Sequence, residues 1–268
     1  MTLHRVSAIA FLLMFLEIGC ATPPPPYEPF KTSREELFAK VKTIVLAPVR
    51  IPADLEDQEP VKAKYESLID AKLREAGFTV VPSLEYDVLW KRTTEQMGGL
   101  FDPMTGKMDE AKVKAVQSHI ARELQHTVHA DAIVYSIIKP ITIRFVNNVA
   151  KWDGAEESID GYKPNNAVDR ILFSGRYAGA TGTVTALSLV TLMDDVNGVT
   201  MYANSGGIQL LALWAGRSFG SAGNFVPVPR KDLFAEDDRY TKPVNLALNP
   251  LLNKGKSSEP EKEKSTAQ

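Results

Sequence analysis

Cysteine is nearly absent from this chain: Cys20 is the only one in 268 residues. A lone cysteine excludes an intramolecular disulfide framework, and with only four histidines beside it no cysteine-rich zinc set can be assembled. Positive charge is not in excess either. The 31 Lys and Arg stand against 33 Asp and Glu, for a net charge of −2, so the basic stripe of a nucleic-acid binder is lacking and nucleic acid is not an expected partner. Long hydrophobic runs are missing too. Val6 to Leu16 is almost wholly apolar, but a helix needs about 20 residues to cross a bilayer. The longest later tract, Ala130 to Val146, is broken by Lys139, Pro140 and Arg144. The HExxH and P-loop patterns do not occur, and the GxSxG string GRSFG at 216–220 lies in a stretch that reads as irregular rather than as a strand-to-helix turn.

What is present begins at the amino terminus. A basic start, a short apolar core and small residues after it describe a secretory signal rather than a membrane span. The stretch FLEIGCATPPPP ends that signal and sets Cys20 against four prolines, Pro23 to Pro26. Ile18, Gly19 and Cys20 resemble the lipobox of bacterial lipoproteins, although Glu17 stands where that family prefers leucine and Leu16 is one place early. The resemblance implies cleavage before Cys20, a diacylglycerol on its thiol and an acylated new amino terminus, with palmitate among the chains. Ala21 in place of aspartate implies the outer membrane, on its periplasmic face. The prolines favour an extended stalk at about 3.1 Å per residue.

The remaining chain reads as one α/β domain: a three-layer arrangement with a mixed sheet flanked by helices. The expected boundaries are a signal at 1–19, lipidated cysteine and linker at 20–40, the domain at 41–252 and a disordered charged tail at 253–268. The tail, NKGKSSEPEKEKSTAQ, has no large apolar residue to bury. KTIVLAPV (42–49) reads as a buried strand. Val61, Tyr65, Leu68, Ile69, Leu73 and Ala76 share one helical face, with Gly77 as the stop. FTVVPS (78–83) is a second strand, so a parallel βαβ unit is expected. Helices are expected at 85–97 and 110–128, with the turn-rich loop GGLFDPMTGKMD (98–109) between them. ADAIVYSIIKPITIRFV (130–146) reads as a long strand bent at Pro140, and 147–169 as a polar insertion loop. The run from Thr181 to Gly207 predicts a hairpin turning at Asp195, Asn197 and Gly198, its first strand central and covered on both sides. Residues 212–239 read as irregular, and 242–252 as a short closing helix.

This order resembles the TolB amino-terminal-like domains, shared in outline by the curli secretion lipoprotein CsgG, the synthase activator LpoB and related envelope lipoproteins. The resemblance is carried by KTIVLAPV, LREAGFTVVPS, HADAIVYSI and LVTLMDDVNGVTMY and spans about Val41 to Ile208. It brings no catalytic residues. It implies a non-catalytic module that binds an envelope protein or cell-wall polymer, in assembly, secretion or regulation of wall or surface-polymer synthesis. A ring-forming export subunit, and so a homo-oligomer, is the alternative it implies. The alternating segment 141–146 is then the strand offered to lipid, though short for the role. A hydrolase with an unrecognised site is a third reading.

Candidate chemistry is sparse. His119, His126 and His129 sit on or just after one predicted helix; the expectation is helix-end capping rather than a metal. Gly106 and Lys107 fail the P-loop spacing, and Asp102 and Asp109 fail the EF-hand order. GRYAGATG (175–182) and GRSFGSAG (216–223) share GRxxGxxG, which suits a backbone anion nest but also arises by chance in a chain with 17 glycines. The carboxylate pairs Glu156–Glu157 and Asp237–Asp238 are expected to be solvated. No catalytic residue, cofactor or metal is expected. Cys20, as the lipid attachment site, is the one site residue, and the sheet edge or the loop 98–108 is the expected partner contact.

Overall fold

A computed structural model describes residues 27–53, 55, 58–160, 181–215 and 226–252. In chain order the elements are α1 (Arg34–Lys40), β1 (Thr43–Leu46), α2 (Gln58–Glu75), β2 (Thr79–Val81), α3 (Ser83–Gln96), α4 (Glu110–Val128), β3 (Ala132–Val146), β4 (Val149–Trp152) and β5 (Ala155–Ser158). Then follow β6 (Thr181–Asp195), β7 (Thr200–Leu210), β8 (Ala212–Ala215), β9 (Val226–Pro229) and α5 (Asp238–Leu252). The fold is α/β, with a mixed sheet flanked by helices.

β1 pairs in parallel with β2 and β3, while β3–β6 and β6–β7 are antiparallel, giving the lateral order β2-β1-β3-β6-β7. The backbone of the sheet is the β3–β6 ladder, matched from Ala132↔Asp195 to Val146↔Thr181 without a slip. Alternation sends Val134, Ile138, Leu189 and Met193 to one face, where they join Tyr65, Ile69 and Leu73 of α2 and Val244, Ala247 and Leu251 of α5. Ile133 faces the other way, onto Tyr86 and Leu89 of α3 and Val116, Ile120 and Leu124 of α4. A third cluster lies further along that second face: Phe145, Val184 and Ala186 pack against Ala150, Trp152 and Ala155 of the β4–β5 hairpin.

Four segments depart from the sequence expectation, and in one of them, the stretch 212–239 read as irregular, β8 and β9 pair antiparallel as a second small sheet. Among the other three, residues 27–40 belong to the fold rather than to the linker. Ser33 caps α1 by accepting from the Glu36 N–H at 3.1 Å. Leu37 is fully buried, which stabilises by about 1.5–3 kcal/mol and holds a seven-residue helix in place. Arg34 donates to the carbonyls of Pro250 and Leu251 at 2.5 and 3.0 Å. Second, 147–158 is not a loop. Asn147 and Asn148 (φ 51° and 70°) and then Asp153 and Gly154 (φ 41° and 75°) make two tight turns that fold the chain into β4 and β5. Third, the closing helix α5 is 15 residues long and buries Tyr240, Val244, Ala247, Leu248 and Leu251 despite Pro243 and Pro250.

β7 is gripped from both sides. A Cβ at Gly206 would overlap the Pro243 carbonyl of α5, and one at Gly207 would come within 2.5 Å of the Ala155 Cβ and 2.7 Å of Trp152 Nε1. The buried hydroxyls of Tyr65 and Tyr202 tie the same helix down, donating to the carbonyls of Arg239 (2.6 Å) and Ala247 (2.5 Å). Gly206→Ala and Gly207→Ala are each expected to cost at least about 1–3 kcal/mol through overpacking. Gly198→Ala, with open space around its Cβ position, is expected to cost only the about 1 kcal/mol of a positive φ. Urea denaturation midpoints of the three variants check this order.

Candidate functional site

In an open α/β sheet, ligands favour the crevice at the strand carboxyl ends where successive connections leave on opposite faces. In the order β2-β1-β3 that switch point falls between β1 and β3; beside it is the gap between the carboxyl ends of β1 and β2. It is filled by the chain's own Glu66. One carboxylate oxygen accepts from the Val49 N–H at 2.9 Å and the other from the Ser83 hydroxyl at 2.8 Å.

Several edge positions of the main sheet are occupied as well. Along the side of β7 away from β6, Lys31 N–H donates to the Met201 carbonyl and Ala203 N–H to the Pro29 carbonyl, both at 2.9 Å. Further along, Gly207 N–H donates to the Asp153 carbonyl at 3.0 Å, and Leu210 N–H donates to Glu157 at 2.8 Å. The Ile208 carbonyl faces the Arg239 guanidinium at 3.4 Å. At the opposite edge, Arg74, held by Asp70, donates to the Val80 carbonyl of β2 at 2.6 Å. Occupied positions resist strand addition, whereas β9 of the second sheet is exposed along its length.

Glu157 departs from its expected solvation. Its side chain takes Arg230 at 2.5 Å and Arg239 at 3.2 Å, and the Arg230 side chain is only 8% exposed. Arg230 also forks onto Asp232, and this guanidinium pulls the Asp232 carboxyl down to about 2. A cavity of about 240 Å³ opens beside the cluster, lined by Trp152, Glu156, Glu157, Ile208, Glu236, Asp238, Arg239 and Lys242, among others. The cations of the cluster are already engaged, so its chemistry is that of a clamp joining β5, β7 and the start of α5. Glu156 by contrast makes an exposed pair with Lys151, and Asp237 meets Lys64.

The loop 98–108 is an open surface. Phe101 pairs with Met108 across a small hairpin. Asp102 accepts from the N–H groups of Met104 (2.7 Å) and Thr105 (3.0 Å), and Gly98, Gly99 and Gly106 supply the positive φ angles it needs. Asp109 caps α4 by accepting from Ala111 and Lys112. Both aspartates are thus turn and cap residues. The result is a braced knuckle that exposes Phe101, Met104 (91% exposed) and Met108.

The remaining candidates separate. His119 lies 3.6 Å from Glu123, and His129 ends α4 in a left-handed conformation with its own N–H on the Leu124 carbonyl. No group of three metal-ligating side chains occurs among the described residues. Ile141 and Ile143 pack onto the third core with Phe145, so the alternating face of 141–146 is turned to protein rather than to lipid. Cys20, the tail 253–268, all of GRSFGSAG and most of GRYAGATG lie outside the described residues.

No protein-family model and no curated protein matches the chain. Solved structures similar to it include the crystal structure of lipoprotein GNA1162 from Neisseria meningitidis, at a TM-score of 0.31 and 16% identity, covering 62% of this chain and 81% of that one. A dodecameric PelC variant from Paraburkholderia phytofirmans aligns at a TM-score of 0.33 and 11% identity, covering 84% of this chain and 94% of that one.

Glu157→Gln removes the carboxylate shared by Arg230 and Arg239 and leaves them only Asp232 and Glu236; it is expected to destabilise by about 1–3 kcal/mol, below the range for an unpaired buried charge. Denaturation midpoints check it. Because the Asp232 carboxyl is depressed below its ordinary 3.8, its contribution is present above that pH and lost as pH falls through about 2. In a carbon-13 NMR titration Arg230→Ala is expected to return Asp232 to the ordinary range.

Proposed function

We propose that this chain is a non-catalytic, lipid-anchored module on the periplasmic face of the outer membrane, and that it binds other envelope components. The carrying observation is that the braced loop 98–108 holds apolar side chains out to solvent, while the Glu66 carboxylate is spent on joining the β1 and β2 ends. A domain built in this way offers a contact surface. The lipobox at Cys20 supplies the anchor, and the resemblance to TolB-like envelope lipoproteins supports partners of protein or polymer chemistry, self-association among them. The packing of Ile141, Ile143 and Phe145 into a protein core weighs against the ring-forming export reading, which needs that face for lipid. Hydrolysis has no supporting geometry among the described residues.

Cell fractionation tests the anchor: Cys20→Ser is expected to move the chain from the membrane pellet to the soluble periplasmic fraction. Unchanged sedimentation, or turnover of simple ester, phosphate or peptide substrates by the purified chain, would overturn the reading.

A further inference from the structure

Position and charge together decide which kind of partner the knuckle takes. The amino-terminal segment joins the domain at the carboxyl end of α4, where Lys31 lines a cavity with Gln125 and Asp131. The loop 98–108 lies at the other end of that helix, which Asp109 caps. From Asp109 to Gln125 the helix is about 24 Å long at 1.5 Å per residue. Residues 29 and 31 ride on β7, so the connection from Cys20 to Tyr27 is about 22 Å long in polyproline geometry. A lipid on Cys20 therefore holds the far end of α4 close to the bilayer and leaves the knuckle a helix length beyond it.

Charge points the same way. Across residues 98–114, Asp102, Asp109 and Glu110 stand against Lys107, Lys112 and Lys114. The balance leaves no net attraction for an anionic bilayer or an acidic polymer. The exposed tip is Phe101, Met104 and Met108, none of which pairs with the hydroxyl groups of a glycan. The N–H groups of Met104 and Thr105 are spent on Asp102. Those of Asp102, Gly106 and Asp109 donate to the carbonyls of Lys107, Asp102 and Leu100, each at 2.8 Å. An apolar centre inside a polar rim is the anatomy of a protein–protein contact. The bracing lowers the ordering cost of binding, and the two methionines adapt their shape to a pocket.

We propose that the loop 98–108 is a membrane-distal docking knob for a protein, which receives Phe101, Met104 and Met108 in an apolar pocket bordered by charges of both signs. This rests on the anchor reading for the height of the knob above the bilayer. It narrows the partner at this loop to a protein and sets polymer and lipid aside.

A benzophenone amino acid replacing the exposed Thr105 in the full acylated chain is photolysed in growing cells. Discrete protein adducts are expected, reduced about tenfold by Phe101→Asp and, separately, by Met104→Asp, as for truncated hot spots. Adducts to phospholipid or glycan alone, adducts only between copies of this chain, protein adducts indifferent to both substitutions, or no adducts each overturn the knob. Height is read in vesicles of phosphatidylethanolamine and phosphatidylglycerol that carry a lipid-borne acceptor dye. Acylation consumes Cys20, so Thr105→Cys and Val199→Cys each give a single thiol for the donor; Val199 lines the same cavity as Lys31. Energy transfer is expected to be at least about twofold stronger from 199 than from 105, because the sites differ by roughly the length of α4. Equal transfer overturns the membrane-distal placement. A chain that floats with vesicles yet gives no adducts keeps the anchor and loses the knob. If the chain does not float, the anchor falls, and adducts at 105 of the Cys20→Ser chain decide the knob alone.

Discussion

Two adjacent residues without side chains, Gly206 and Gly207, set the spacing of the molecule. Because successive strand residues point to opposite faces, one glycine admits the α5 backbone at Pro243 and the next admits the turn of the β4–β5 hairpin. Everything on the β7 side depends on that double approach. It places Tyr202 under Ala247. It brings Glu157 of β5 to the Leu210 N–H and to the two arginines that precede and open α5. It also draws the Asp153 carbonyl onto the β7 edge. A methyl group at either position would push a layer away and loosen all of these at once.

Much of the fold was legible because its signals are local. The βαβ unit showed in the face formed by Val61, Tyr65, Ile69 and Leu73, and that face is the buried one. The β6–β7 hairpin showed in Asp195, Asn197 and Gly198, and the structure adds the reason: Asp195 accepts from the N–H groups of Asn197 and Val199. The hairpins at 147–158 carried signals of the same kind, Asn-Asn and Asp-Gly, that polar composition concealed. Helix α1 was announced by Ser33 with Glu36 three residues on, overshadowed by the proline run before it.

The candidate site was harder to read because it is made of long-range pairings. Nothing near Glu66 in the chain says that its carboxylate will close the gap between Val49 and Ser83. Glu157 and Arg230 are 73 residues apart, and no spacing rule connects them. The loop 98–108 was recognisable as a turn from Gly98, Gly99, Asp102 and Gly106. Its exposure of Phe101 and Met104 was not, because apolar side chains in a loop are as often tucked under as held out.

The unbroken β3–β6 ladder has a further consequence. Its two 15-residue strands pass beneath the helices at one end and beneath the β4–β5 hairpin at the other, so every packed cluster leans on the same rungs. No subset of layers can come apart without unzipping strands that the others need. The molecule is therefore built to melt in one cooperative transition, and neither end of it can be cut away as a self-standing fragment.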